Sequence, residues 1–167
     1  MTTSSPPTNP SAQTGVLRGI AQVTIPVSDL TRSAAWYRDL LDLTYVREFA
    51  SHGGVTGCAL ADWRARYFIA LRLRSDTLGG GDLRGEHPVV LEAVDEAAAQ
   101  RVRERAADRG IASTSGRHAD GSWSEFVDPD GIAVRVVHSA HGPQGFLGVQ
   151  FDRDGSATFY DRPRLQV

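Results

Sequence analysis

A chain of 167 residues, 41% hydrophobic and 23% charged, suits one soluble globular domain or two small halves sharing a core. Its net charge of −2 gives no reason to expect nucleic acid or an anionic membrane as partner, and no stretch reaches the apolar length of a transmembrane helix. The single cysteine, Cys58, excludes an intramolecular disulfide, no Cys/His cluster suggests structural zinc, and a small buried hydrophobe in a strand is its plain reading.

Residues 1–18 open with MTTSSPPTNPSAQTG, which has neither the basic nor the apolar region of a secretory signal. A disordered arm on a cytoplasmic protein is expected. Residues 20–27, IAQVTIPV, alternate: Val23, Ile25 and Val27 on one face, Gln22, Thr24 and Pro26 on the other, as in a half-buried strand. Ser28-Asp29 can cap a helix that carries Ala35, Trp36, Leu40 and Leu43 at helical spacing. Trp36 and Tyr37 read as core packing of that helix. Strands follow at 45–49, 56–61 and 67–73; His52 sits in the loop beside Gly53-Gly54. The Gly-rich stretch 75–85 is a linker with no phosphate-binding pattern.

The pattern then restarts. Residues 87–94 form a strand, Asp95 precedes a helix ending at Gly110, and strands are expected at 111–115, 123–127 and 132–138. The order βαβββ thus occurs twice, over residues 19–74 and 86–139, at one offset of 66 residues that aligns Asp29 with Asp95 and Asp62 with Asp128. His118 and Asp120 lie in a polar loop. Asp128-Pro129-Asp130-Gly131 suits a type I turn followed by a left-handed glycine, which makes a three-residue hairpin loop. On that register Glu125 faces Arg135, Trp123 faces Val137, and Val134 and Val136 point to the other side. Residues 140–167 form an added extension, a hairpin around Asp152-Arg153-Asp154-Gly155 packed on the repeat.

Residues 20–43, IAQVTIPVSDLTRSAAWYRDLLDL, resemble the opening of a vicinal oxygen chelate module, and residues 124–137, SEFVDPDGIAVRVV, resemble its close. That superfamily holds glyoxalase I, bleomycin-resistance proteins and extradiol dioxygenases. The resemblance spans residues 19–139. It implies an α+β fold of two tandem βαβββ modules, forming curled mixed sheets around a shared pocket with helices outside. Val23, Ile25, Val134 and Val136 would back onto the helices; Gln22 and Arg135 would face the pocket.

The metal enzymes of the superfamily place a ligand on the first and last strand of each module. By the 66-residue offset those corners are Gln22, Ile69, Pro88 and Arg135. Glutamine serves in some glyoxalases. Ile69 and Pro88 have no side-chain donor, His87 beside Pro88 reaches in only if the strand slips, and the Arg135 guanidinium has no lone pair and repels a cation. No bound metal and no cofactor are therefore expected.

The candidate ligand-binding residues are Gln22, Thr24, Trp123, Glu125 and Arg135. Arg135 has two compatible readings: a cross-strand ion pair with Glu125, or an anchor for a ligand anion that joins that pair. Two function classes stay open. One is a metal-free, resistance-like protein that holds a small organic molecule between the modules, its anionic group on Arg135 and its ring on Trp123. The other is a glyoxalase-like lyase, isomerase or dioxygenase, with Glu125 or His87 as the general acid or base. A homodimer is expected, with the tail hairpin near the interface.

Overall fold

The computed structural model describes residues 20–51, 53–77, 82–118, 121–140, 148–151 and 157–160. The N-terminal arm, His52, Asp120, part of the 75–85 linker and the 152–155 turn lie outside these residues. So does the side chain of His118.

The first unit runs β1 (Gln22–Val27), α1 (Leu30–Leu41), β2 (Thr44–Ser51), β3 (Gly54–Asp62) and β4 (Tyr67–Leu73), then a single 3₁₀ turn, Arg74–Asp76. The second runs β5 (Val89–Glu92), α2 (Glu96–Asp108), β6 (Ser113–His118), β7 (Gly121–Val127) and β8 (Ala133–Ser139). Each unit makes a four-stranded mixed sheet, in the orders β1-β4-β3-β2 and β5-β8-β7-β6. The first strand pairs parallel to the last, and the others pair antiparallel. A two-stranded hairpin, β9 (Gly148–Phe151) and β10 (Ala157–Tyr160), follows. The repeated topology is thus the expected one. Strand ends differ: β5 starts two residues after His87, and β6 runs on to His118, where a polar loop was expected.

Local chemistry explains both helices. Asp29 and Asp95, 66 residues apart, are the N-caps; each side chain accepts a hydrogen bond from the backbone N–H three residues on, at Arg32 and Ala98. α1 stops at Asp42, which takes the left-handed conformation at φ 59°, and Gly110 does the same beyond α2 at φ 65°.

The helix-bearing faces of the two sheets share one core. Ile25, Leu60, Ile69 and Leu71 of the first sheet cluster with Val89 and Val134 of the second, and Tyr37 of α1 joins them. Leu40 bridges to Ala106, Phe126 and Val136. Because the helix sides meet, the opposite faces do not close on each other within the chain. Gln22, Thr24, Val90 and Val127 on those faces are exposed.

The hairpin turn after β7 fastens the two units together. Tyr37 donates its hydroxyl proton to Asp128 Oδ2 at 3.0 Å, the Ser28 backbone N–H donates to Asp130 Oδ2 at 3.0 Å, and Arg74 Nη2 stands 3.6 Å from Asp130 Oδ1. Asp128 also accepts from the N–H groups of Asp130 and Ile132. Burial nevertheless raises its pKa above the ordinary carboxylate value, and burial beside that carboxylate raises that of Tyr37.

Candidate functional site

The expected cross-strand register around the second hairpin holds: Glu125 opposite Arg135, Trp123 opposite Val137 and Val127 opposite Ala133. Asp128 N–H donates to Ile132 O, Gly131 N–H donates to Asp128 O, and Gly131 sits at φ 84°, so the loop is the three-residue form. Alternation then places Trp123, Glu125 and Arg135 together on the open face of the second sheet. Arg135 gives Nε and Nη2 to one oxygen, Glu125 Oε2, at 3.2 and 2.7 Å. Its Cζ lies 5.3 Å from the centre of the Trp123 ring. The side chains of the pair keep 33% and 23% of their exposure, so it is solvent-accessible from one side.

Gly116 makes that arrangement possible. It pairs with Trp123 across β6 and β7, and a Cβ at Gly116 would stand 2.8 Å from the indole Nε1. The indole therefore lies over a glycine, with the guanidinium over the indole.

The remaining candidates fall elsewhere. Gln22 and Thr24 lie on the open face of the other sheet, where Gln22 Nε2 donates to Thr24 Oγ1 at 3.0 Å. His87 is exposed ahead of β5 and makes no hydrogen bond or ion pair with a described residue. The structure thus brings Trp123, Glu125 and Arg135 together and leaves Gln22, Thr24 and His87 apart from them.

One corner needs correction. The last strands are one residue out of step with the 66-residue repeat: Val23 pairs with Ile69, but Val89 pairs with Val134, not Arg135. The cause is the hairpin, which has seven residues between Phe126 and Val134 against eight between the equivalent Leu60 and Ile69. Ile69 is fully buried in the core, and Ala70 holds the place on the first sheet that Arg135 holds on the second. The four corners are then Gln22, Ala70, Pro88 and Arg135: one amide, two groups without a donor atom and one cation. They do not fit a divalent metal. Among the described residues no group of three or more His, Cys, Asp or Glu side chains could hold one either.

Sequence reasoning passed over a second constellation, on the first sheet. Phe49, Gly57 and Arg72 form one cross-strand row, and Arg47, Ala59, Ala70 and Thr24 form the next. The Arg72 Cζ lies 5.2 Å from the centre of the Phe49 ring. A Cβ at Gly57 would stand 2.6 Å from Arg72 Cδ and 3.1 Å from Phe49 Cδ2, so this stack too depends on a glycine. The signal available in the sequence was the alternation Phe68, Ala70, Arg72, which puts an arginine on the same side as two small or aromatic residues. Two grooves, of about 660 and 540 Å³, lie beside α1 and beside β5; neither is lined by Arg72 or Arg135.

Residues 19–136 match the model of the Glyoxalase/Bleomycin resistance protein/Dioxygenase superfamily, and the chain belongs to that family. Among solved structures it is similar to a glyoxylase/bleomycin resistance protein/dioxygenase domain from Frankia sp. EAN1pec, at 25% identity and TM-score 0.60, over 74% of this chain and 98% of that one. The antibiotic binding protein TnmS3 from Streptomyces sp. CB03234 matches at 21% identity and TM-score 0.60, over 75% and 98%. A lactoylglutathione lyase from Agrobacterium tumefaciens matches at 18% and TM-score 0.60, over 77% and 98%. The last two likenesses concern the fold. No curated protein sequence matches the chain. No helix among the described residues is long and apolar enough to cross a membrane.

Proposed function

We propose that this protein binds a small organic molecule on its open sheet faces, without a metal, in a cleft completed by a second copy of the chain. The carrying observation is the Trp123, Glu125 and Arg135 array, an aromatic surface and a charged pair on a face that the chain itself leaves uncovered. A metal-dependent reaction would need ligands at corners that carry Ala70, Pro88 and Arg135. Acid–base chemistry would need a free proton carrier, but Glu125 Oε2 already accepts two N–H groups and His87 stands apart. The description of one fold relative as antibiotic binding supports a binding role over the lyase, isomerase or dioxygenase alternative.

Dimerisation is supported by the same openness. The first sheet presents Arg47 and Arg72, and the rows facing outward on the second present Glu92 and Glu125 with Arg135, so the two faces are complementary in charge across a two-fold axis. Native mass spectrometry of protein purified without chelator tests all three elements together. A dimer mass, a co-purified organic adduct and no metal are expected. A stoichiometric metal lost in a Gln22→Ala variant overturns the metal-free reading, and a monomer overturns the shared cleft.

A further inference from the structure

Both open faces carry an arginine stacked on an aromatic ring, but the two cations are not equivalent. Arg135 is held by Glu125 at 2.7 Å. Arg72 makes no ion pair or hydrogen bond with any described residue, and its row offers none: Gly57 stands on one side and Pro26 on the other. The second cation of that face, Arg47, is exposed and likewise unpaired among the described residues. Among the cross-strand rows of this face, Gln22 and Thr24 are the polar partners and no carboxylate occurs. The Arg72 guanidinium lies over the Phe49 ring, a contact that takes none of its N–H groups into an ion pair.

The surroundings are aromatic. Phe68 lies two residues before Ala70 on the same face, half-buried, and Trp63 stands edge-on to it with ring centres 5.6 Å apart. Ala59, Ala61 and Ala70 keep 3% or less of their exposure, so this floor lies beneath the larger side chains that flank it. From Gly57 to Ala61 the strand rises about 13 Å at the usual pitch, the span of a fused two-ring system with one substituent.

We propose that the anion-recognising group of the cleft is Arg72, assisted by Arg47, and that the ligand class is an aromatic carboxylate. This rests on the reading that the open faces bind a small organic molecule. A carboxylate matches the planar N–H fork of arginine, and its ring matches the Phe68 and Trp63 surface. Arg135, neutralised by Glu125, serves as a stacking surface on the opposite wall.

Calorimetric titration with naphthoate and its uncharged isostere naphthylmethanol tests the assignment in the full chain. Arg72→Gln is expected to weaken naphthoate by about tenfold or more while leaving naphthylmethanol within about twofold. Arg72→Lys should recover part of the loss, the exposed Arg47→Gln should weaken naphthoate about threefold, and Arg135→Gln should change it by less than that. A melting temperature within error of the parent confirms that the variants are folded. Should Arg72→Gln prove misfolded, the Arg47→Gln result carries the test, and an unchanged naphthoate affinity there overturns the proposal. Naphthoate binding no tighter than naphthylmethanol overturns the anion assignment and leaves the cleft reading standing. If naphthoate fails to bind at millimolar concentration while another organic adduct is seen by mass spectrometry, the ligand class is wrong and the cleft reading again stands. Failure of both probes, with no adduct, overturns both.

Discussion

The two halves of the chain run the same topology and put the same three ingredients on their open faces, but in different places. On the first sheet the aromatic residue is Phe49 on β2 and the glycine is Gly57 on β3; on the second the glycine is Gly116 on β6 and the aromatic is Trp123 on β7. Where the second sheet pairs Glu125 with Arg135, the first pairs Ala59 with Ala70. Its arginine has moved one row along, to Arg72, out of reach of any carboxylate in the rows of that face. Sheet geometry explains why such a rearrangement is tolerated. A large ring needs a neighbour without a Cβ to lie flat, but either strand of the pair can supply it. The lesson is that a repeat fixes which face is open, while charge pairing within the face decides which wall can hold an anion.

The sharpest test removes the glycine on each side. A methyl at Gly57 meets a backbone oxygen, Leu71 O, at 2.7 Å as well as Arg72; at Gly116 its three nearest atoms all belong to the Trp123 ring, at 2.8 to 2.9 Å. A side chain can swing away and a strand carbonyl cannot. Gly57→Ala should therefore cost about 3 kcal/mol in urea unfolding and Gly116→Ala about 1–2 kcal/mol. Equal costs would show that the two stacks are held in the same way.

The halves also differ at their hairpin turns. Asp62 caps its own turn, accepting from Arg64 and Ala65 N–H at 2.8 and 2.9 Å. Its repeat partner Asp128 is 4% exposed and is met by Tyr37 from the other half. Tyr37→Phe leaves a buried carboxylate short of one donor, and should lower stability by about 2 kcal/mol. Asp62→Ala, at a partly exposed turn, should cost about 1 kcal/mol or less. A reversal of that order would mean that the halves hold together without the Tyr37 bond.

Much of this could be read from the chain. Asp29 and Asp95 as caps, the Glu125–Arg135 register and the helix-facing Val134 and Val136 all follow from local rules: side-chain length at a cap, turn chemistry, period-two alternation. The Ile69 corner failed because an offset counts residues, and one residue fewer in the second hairpin moves a strand to its other face. Arg72 was missed because nothing local sets it apart from a solvated strand arginine. Its meaning depends on Phe49, 23 positions away, and on the absence of a carboxylate from the cross-strand rows of its face. The open faces were hidden for a similar reason: a module pattern shows which face is polar, not whether its twin lies opposite.

Acid should separate the two aspartates of the latch. Burial pushes Asp130 upward, but the bonds from Ser28 and the charges of Arg74 and Arg32 outweigh it, so its pKa falls below the usual 3.8. Its contribution is present above that value and is lost as pH falls through the lower folded value. Asp128 has the opposite sign: raised by burial, it favours the folded state below its ordinary value, and that advantage disappears as pH rises through the folded one. Asp130→Asn should thus cost about 1 kcal/mol at neutral pH and flatten the loss of stability below pH 4. An unchanged acid limb would remove Asp130 from the latch.

The smallest effect on stability should come from the change that makes the second face most like the first. Glu125→Gln removes the carboxylate but keeps an acceptor of similar shape opposite Arg135. Both side chains are partly exposed, so the ion pair stabilises the fold by less than about 1 kcal/mol, and the melting temperature should move by a few degrees at most. Recognition should change more than stability. With its charge released and its guanidinium still resting on Trp123, Arg135 joins Arg72 and Arg47 as an unpaired cation facing the cleft. Naphthoate should then bind about threefold tighter or at a second site, and the uncharged naphthylmethanol should bind as before. The gain should shrink with added salt, because the new attraction is between exposed charges. If Glu125→Gln leaves naphthoate untouched, Glu125 is not what silences Arg135. The contrast between the two walls would then lie in their shape, with the aromatic and glycine exchanged between strands, rather than in their charge.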